Sequence, residues 1–138
     1  SHPGEYIAHH LNGGDDDTYA PSSIPSCIYG SCEAMRVGPT AQELAEQGRE
    51  VSVSKSMLAA NPIAQSHGAS QGLVKVAWED ERVVGITAVG HGVSHLVGMA
   101  TIMVDQQWTR DQAEQMVFAH PTLDEALKNG LLAPRSAP

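Results

Sequence analysis

The spacing of apolar and polar residues predicts strands in the middle of the chain and a helix after them. In residues 51–57, serines alternate with Val51, Val53, Lys55 and Met57, which is the period of a β-strand with one polar face. The β-rich runs 73–78 and 82–89 flank the turn 79–81 and predict an antiparallel hairpin. In residues 93–106, apolar side chains recur at spacings of three and four, which indicates an amphipathic helix.

Capping patterns predict where other helices begin. Thr40 and Thr109 are each followed three residues later by a residue that completes a capping box, Glu43 and Gln112. The first of these two helices is predicted to end at Gly48, because glycine readily adopts the left-handed conformation that closes a helix.

The two ends of the chain carry similar signals. Thr122 and Glu125 have the capping-box spacing and predict a last helix that ends at Gly130. Near the start, residues 5–11 predict a short helix closed by an Asn-Gly-Gly sequence, and residues 24–29 predict a short strand that a proline confines to its start or to a sheet edge.

The order of these elements predicts the fold class. Residues 59–71 predict a loop, so the order is one strand, a helix, three strands and then three helices. Strands and helices that are segregated in this way indicate an α+β fold, an antiparallel sheet packed against helices.

Composition narrows the functional classes. The 138 residues make up about one domain, and the net charge is −8 without a Lys/Arg cluster, which argues against a nucleic-acid partner. The sequence has no apolar run of 18 residues and no signal-peptide pattern, so we expect no membrane association and a cytoplasmic protein.

A histidine and a glutamate near the C-terminus form the main candidate site. Pro121 cannot continue a helix and restricts the residue before it, so His120 should lie in non-helical backbone between two helices. A carboxylate on one imidazole nitrogen fixes the tautomer and leaves the other nitrogen for proton transfer. The spacing alone is also typical of a loop histidine without a role, and Glu125 fits a purely structural capping role as well.

The run that starts at His120 reads His-Pro-Thr-Leu-Asp-Glu. It resembles the His-Pro-Thr-x-x-Glu motif that closes the dimerisation domain of the pyridine nucleotide-disulphide oxidoreductases. Leu123 and residues 126–127 are most similar to the dihydrolipoamide dehydrogenase branch of that family. The resemblance covers nearly all of residues 1–130, including 24–38, which is similar to the start of the same domain.

The resemblance implies a symmetric homodimer whose interface uses the helix region 93–104 and the stretch around His120. It implies that His120 is the acid/base, that Glu125 orients it, and that both serve the other protomer's active site, where His120 and Pro121 approach the flavin. The full-length protein would then use FAD and NAD(P) to act on a dithiol/disulfide substrate such as lipoamide.

The same resemblance divides the chain. Residues 1–14 would be the remnant of the last helix of an upstream FAD domain, and residues 15–138, which open with a polar linker at Asp15-Asp16-Asp17, would be the dimerisation domain. The Gly-x-Gly-x-x-Gly fingerprint of nucleotide-binding domains is absent from the sequence. We therefore expect this fragment to hold no cofactor and to be inactive alone.

Two cysteines have the spacing of the family's redox disulfide but lie in the wrong domain for it. On an extended strand, the Cα atoms of Cys27 and Cys32 would be roughly 16 Å apart, too far for a disulfide. Only a tight turn at residues 30–31 would bring them together, so we expect two reduced cysteines.

Histidines provide the other candidate site. His91 and His95, with His67 or Asp105, have a spacing compatible with zinc, but the glycines around His91 indicate a loop, and we expect no metal.

Three residues depart from the family pattern: His95, where glutamate is frequent, Phe118, where a second histidine is frequent, and Cys32, where proline is usual. Three alternatives stay open, of which the departures favour the second. They are another disulfide reductase of the family, a non-catalytic dimerisation module, and a small metal-binding protein.

Overall fold

The computed structural model describes residues 2–14 and 23–138, and these contain five strands and six α-helices. The strands are β1 (Ser26–Ile28), β2 (Glu33–Val37), β3 (Ser52–Met57), β4 (Gly72–Glu79) and β5 (Arg82–Gly90). The helices are α1 (His2–Leu11), α2 (Ala41–Glu46), α3 (Pro62–Ser66), α4 (Val97–Asp105), α5 (Arg110–Gln115) and α6 (Glu125–Leu132). The predicted linker at Asp15-Asp16-Asp17 lies outside the described residues.

The strands form one antiparallel sheet in the order β1-β2-β5-β4-β3. The predicted hairpin is β4 and β5, joined at Asp80 and Glu81, whose positive φ angles of 47° and 64° suit the two-residue turns that match strand twist. An antiparallel sheet packed against helices confirms the predicted α+β class.

Helices α4 and α6 pack against the sheet and enclose the core. Helix α4 contacts β2 and β5, whereas α6 contacts β3 and β4. The predicted helix over 93–106 is a 3-10 turn, Val93–Leu96, followed directly by α4. The largest fully buried side chains belong to the strands, to these helical segments, to α2 and to the 3-10 turn Leu58–Ala60: Trp78, Met35, Leu44, Leu58, Ile86, Leu96, Met103, Leu127 and Leu131.

Buried hydrogen bonds hold α6 on the sheet. The indole Nε1 of Trp78 donates to Ser54 Oγ at 2.7 Å, and that hydroxyl donates to the carbonyl oxygen of Gly130 at 2.6 Å. The prediction that α6 ends at Gly130 is wrong, because the helix continues to Leu132. Glycine serves close packing here, since a Cβ at this position would lie 3.3 Å from Val74 Cγ1.

Two elements were missing from the predicted order. Residues 59–71 do not form a simple loop, because they contain most of the 3-10 turn Leu58–Ala60 and all of α3. The predicted first strand is β1, and it is shorter than expected. Strand β2 follows it and pairs with both β1 and β5. The order is therefore two strands, a helix, a strand, a short helix, two strands and three helices, after α1.

The other predicted boundaries agree with the structure. Helices α2 and α5 begin with complete capping boxes at Thr40 and Thr109. Helix α1 includes the predicted residues 5–11. Among the described residues, no helix is long and apolar enough to cross a membrane.

Candidate active site

The candidate histidine lies in the connection between α5 and α6. We call residues 119–124 the histidine turn. The His120–Pro121 peptide bond is cis, a feature that the sequence did not predict. The backbone there is non-helical and lies between two helices, as the sequence predicts, and the imidazole is 69% exposed.

The structure brings the two predicted site residues together. Nδ1 of His120 lies 3.0 Å from Oε1 and 3.1 Å from Oε2 of Glu125. An ionised carboxylate only accepts hydrogen bonds, so Nδ1 carries the proton in this contact. The neutral imidazole therefore has a free lone pair on Nε2, which takes part in none of the hydrogen bonds among residues 2–14 and 23–138.

Glu125 also organises the backbone of the histidine turn. Its carboxylate accepts the Thr122 backbone N–H at 3.0 Å, and the Thr122 hydroxyl donates to the carbonyl oxygen of Ala119 at 2.7 Å. The predicted capping box is thus only half formed, because the threonine hydroxyl bonds backwards along the chain. Helix α6 begins at Glu125, and its N-cap residue Asp124 makes no side-chain cap.

These contacts favour the ionised form of the glutamate. The Thr122 backbone N–H, followed by the hydrogen bond from His120, holds the pKa of the Glu125 carboxyl below its usual value of 4.5. At neutral pH the carboxylate is therefore charged, and it accepts the Nδ1 hydrogen bond from His120 as an anion.

We expect the fold to lose stability in acid through three such carboxylates. Backbone N–H groups of Ser94, Thr40 and Thr122 lower the pKa values of Glu33, Glu43 and Glu125, respectively. A carboxyl whose pKa is lower in the folded state stabilises it above the unfolded value of 4.5. That contribution is lost as the pH falls through the pKa of the folded state.

Urea unfolding at pH 7, 4.5 and 3 measures the loss. A Glu125→Gln variant should show a weaker pH dependence, and an unchanged dependence would contradict its assignment.

Apolar contacts seat the histidine turn against the core. Leu123 packs on the buried hydrophobic cluster of the core. It also lies close to Gly92, since a Cβ built on Gly92 would be 3.3 Å from Cδ2 of Leu123. Phe118, which stands where the family often has a second histidine, also packs on the core, and Lys128 Nζ lies 5.7 Å from its ring centroid. Phe118 therefore serves packing in this protein.

One residue that contacts the histidine turn was not predicted. The buried Asn61 donates from Nδ2 to the carbonyl oxygen of Thr122 at 2.9 Å. An Asn-Pro pair at a helix start is a recognised signal, with asparagine as the N-cap and proline at the first helical position, and it would have revealed α3.

The two cysteines are free and lie far from the histidine turn in the sequence. Cys27 is half-buried on β1 opposite Met35, whereas Cys32 is exposed in the β1–β2 connection. Cys32, which replaces the family's proline, makes a weak contact of 3.9 Å from Sγ to the Glu33 carbonyl oxygen.

The three histidines of the other candidate site are His67, His91 and His95, and the last two lie at the 3-10 turn Val93–Leu96. The rings of His67 and His91 meet edge to face with centroids 6.3 Å apart, and His95 is exposed. Glu33 accepts the Ser94 N–H at 3.0 Å. In the part of the chain that the structure describes, no three His, Cys, Asp or Glu side chains are grouped so as to hold a metal ion.

Comparison of the sequence with known proteins assigns the chain to a family. Residues 24–130 match the family described as pyridine nucleotide-disulphide oxidoreductase, dimerisation domain. Dihydrolipoyl dehydrogenase of Bacillus subtilis is 32% identical over 134 residues, which are 96% of this chain and 29% of that protein. The human mitochondrial dihydrolipoyl dehydrogenase is 32% identical over 112 residues, 80% of this chain and 22% of that protein. The chain spans less than a third of these relatives.

Solved structures show the same fold. The HOCl-induced flavoprotein disulfide reductase RclA from Escherichia coli superposes with a TM-score of 0.80 at 18% identity, covering 91% of this chain and 30% of that one. LpdA from Mycobacterium tuberculosis gives 0.79 at 17% identity, covering 93% and 28%. The fold and the sequence match together show that the chain belongs to the pyridine nucleotide-disulphide oxidoreductase family, as its dimerisation domain.

Proposed function

We propose that this chain is the C-terminal part of a flavin-dependent NAD(P)H:disulfide oxidoreductase similar to dihydrolipoyl dehydrogenase, and that it donates His120 and Glu125 to the partner protomer's active site. The observation that carries the proposal is the paired imidazole and carboxylate, with Nδ1 bonded to Glu125 at 3.0 Å and the ring 69% exposed. An acid/base that serves a second protomer has to be reachable from outside its own domain.

The proposed reaction is based on the relatives that match this chain. The curated relatives that match over 80–96% of the chain are dihydrolipoyl dehydrogenases, and the chain is less than a third of their length. We therefore assign flavin and nicotinamide binding, the redox disulfide and the dithiol substrate to upstream domains. The division between an upstream remnant, 1–14, and the dimerisation domain, 15–138, stays a prediction, as do the inactivity of this fragment and its cytoplasmic location.

The described residues fit a role in proton transfer next to the cofactors, rather than a role in binding them. The sheet is antiparallel throughout, so it offers no parallel βαβ unit to hold a dinucleotide. When bound upstream, the flavin and nicotinamide supply hydride and electron transfer to a disulfide. Residues of this chain provide the proton chemistry: the neutral Nε2 of His120 accepts a proton from a substrate thiol, and the resulting thiolate is the nucleophile in disulfide exchange.

Glu125 makes that proton transfer easier. The imidazolium that forms after proton uptake donates through Nδ1 to a charged carboxylate, which stabilises it and keeps the ring in one orientation. In the reverse direction, Nε2 returns the proton to the leaving thiolate when the disulfide is reduced. Two electrons and one proton from NAD(P)H, together with one further proton, then convert the disulfide into two thiols.

The proposed homodimer interface uses the region 93–104 and the histidine turn. Ile102 on α4 is 47% exposed, and Val117 beside the histidine turn is 90% exposed. A Cβ at Gly98 would meet nothing within 4 Å, so the outer surface of α4 is open in the single chain. Exposed apolar side chains on both segments support a partner surface there.

An anaerobic titration of the full-length protein tests this function. We expect NADH to reduce a bound flavin, and oxidised lipoamide to reoxidise it within a catalytic turnover. Reoxidation by another disulfide, such as glutathione disulfide, but not by lipoamide would favour a sibling reductase. A protein without flavin would contradict the enzyme proposal and favour a non-catalytic dimerisation module.

A further inference from the structure

We infer that Asn61 is a positioning residue that fixes the placement, and through it the tautomer, of His120; this inference rests on the function proposed above. Asn61 is 1% exposed, and it lies 61 residues before Thr122 in the sequence. It belongs to the segment before α3, which has no other place in the proposed chemistry.

The amide of Asn61 has only one orientation that satisfies its neighbours. Its Oδ1 accepts the backbone N–H groups of Ile63 at 3.0 Å and Ala64 at 3.1 Å, which caps α3. Its Nδ2 donates to the Thr122 carbonyl oxygen at 2.9 Å. Rotating the amide by 180° would place NH₂ against two donors and oxygen against an acceptor. The side chain therefore joins α3 to the histidine turn with a fixed polarity.

The contact with Thr122 differs from the others around the histidine turn. The bonds from Thr122 to Ala119 and Glu125, and from His120 to Glu125, all lie within residues 119–125, so they fix the local shape only. Among the hydrogen bonds of the described residues, only the one from Asn61 reaches this turn from a distant part of the chain.

Losing that contact should loosen the pair. Without the donor, the partly buried Thr122 carbonyl oxygen lacks its protein partner, and the Thr122 backbone, whose N–H donates to Glu125, is less firmly held. Glu125 would then meet His120 Nδ1 less often, and the alternative tautomer with the proton on Nε2 would gain population. That tautomer cannot accept a thiol proton at Nε2.

The matched variants separate this role from helix capping. Asn61→Ser keeps a favourable N-cap oxygen for α3 but is too short to reach Thr122. Thr40→Ala is the control for general destabilisation, because it removes a comparable cap from α2, which is distant in sequence from the histidine turn. Glu125→Ala removes the acceptor from His120 directly.

The test is nitrogen NMR of the full-length protein labelled with ¹⁵N-histidine, at alkaline pH where the rings are neutral, with the His120 signals identified by their loss in His120→Gln. We expect wild type and Thr40→Ala to show mainly the Nδ1–H tautomer. Asn61→Ser should shift the population towards Nε2–H, and it should lower the rate of lipoamide reduction by about tenfold, because small misplacements of a catalytic group are costly. Flavin reduction by NADH should not change.

Two outcomes would overturn the inference, and they differ from each other. If Glu125→Ala shifts the tautomer but Asn61→Ser does not, Asn61 only caps α3 and the His120–Glu125 pair stands. If Glu125→Ala also leaves the tautomer unchanged, the pair itself fails and the proposed function loses its main support.

Discussion

His120→Gln should slow disulfide reduction in the full-length protein by roughly 10²–10⁴-fold, which is the usual contribution of a positioned acid/base. Glutamine keeps the polarity and approximate size of histidine, but it cannot accept a proton at neutral pH. The half-reaction in which NADH reduces the flavin should keep its wild-type rate, because His120 has no part in hydride transfer. Stopped-flow measurement of the two half-reactions separates these effects.

The control is the same substitution at another exposed histidine. His67 follows α3 and its ring meets that of His91, and no hydrogen bond of the described residues joins it to the His120–Glu125 pair. We expect His67→Gln to leave both half-reactions unchanged. Because His120 is 69% exposed, its substitution should also change the free energy of unfolding by less than about 0.5 kcal/mol. A slow disulfide step in a stable His120→Gln protein would therefore be a chemical effect.

Glu125→Gln should have a smaller effect on the same step. The amide oxygen can still accept the Nδ1–H of His120, so the ring keeps its orientation, but the charge that stabilises the imidazolium is gone. A loss equal to that of His120→Gln would indicate that charge, and not orientation, is the main contribution of Glu125.

The His120–Glu125 pair could be predicted from the sequence because its determinants are local. Pro121 breaks the helix, and a glutamate at the next helix start lies five positions after the histidine, so a short segment contains the whole geometry. The capping boxes at Thr40 and Thr109 were predictable for the same reason. In each case the interacting residues lie within a few positions of each other.

Several features that were missed or wrongly predicted depend on distant residues. Strand β2 is short, and it is a strand because β1 and β5 pair with it on both sides. Gly130 does not end α6, because Ser54 and Val74 on the sheet hold the helix at that point. The link from Asn61 to Thr122 spans 61 residues and has no local pattern. Tertiary contacts therefore decided these positions.

The second large effect that we expect is recovery of activity in a hybrid dimer. One protomer carries His120→Gln and an intact redox disulfide, and the other carries wild-type His120 with that disulfide replaced by serines. Each variant alone should be nearly inactive, because every site in its homodimer lacks either the acid/base or the disulfide. In the hybrid, one site combines the intact disulfide of one protomer with His120 of the other.

Two affinity tags purify this hybrid away from both homodimers, and the rate of lipoamide reduction per dimer is the measurement. If the dimerisation domain donates His120 and Glu125 across the two-fold axis, the hybrid should regain about half of the wild-type activity, since one of two sites is complete. If His120 serves its own protomer, or has no role in the reaction, that gain will be absent. A hybrid no more active than its parents would contradict the account, whereas recovery of about half would establish that this domain completes the active site of its partner.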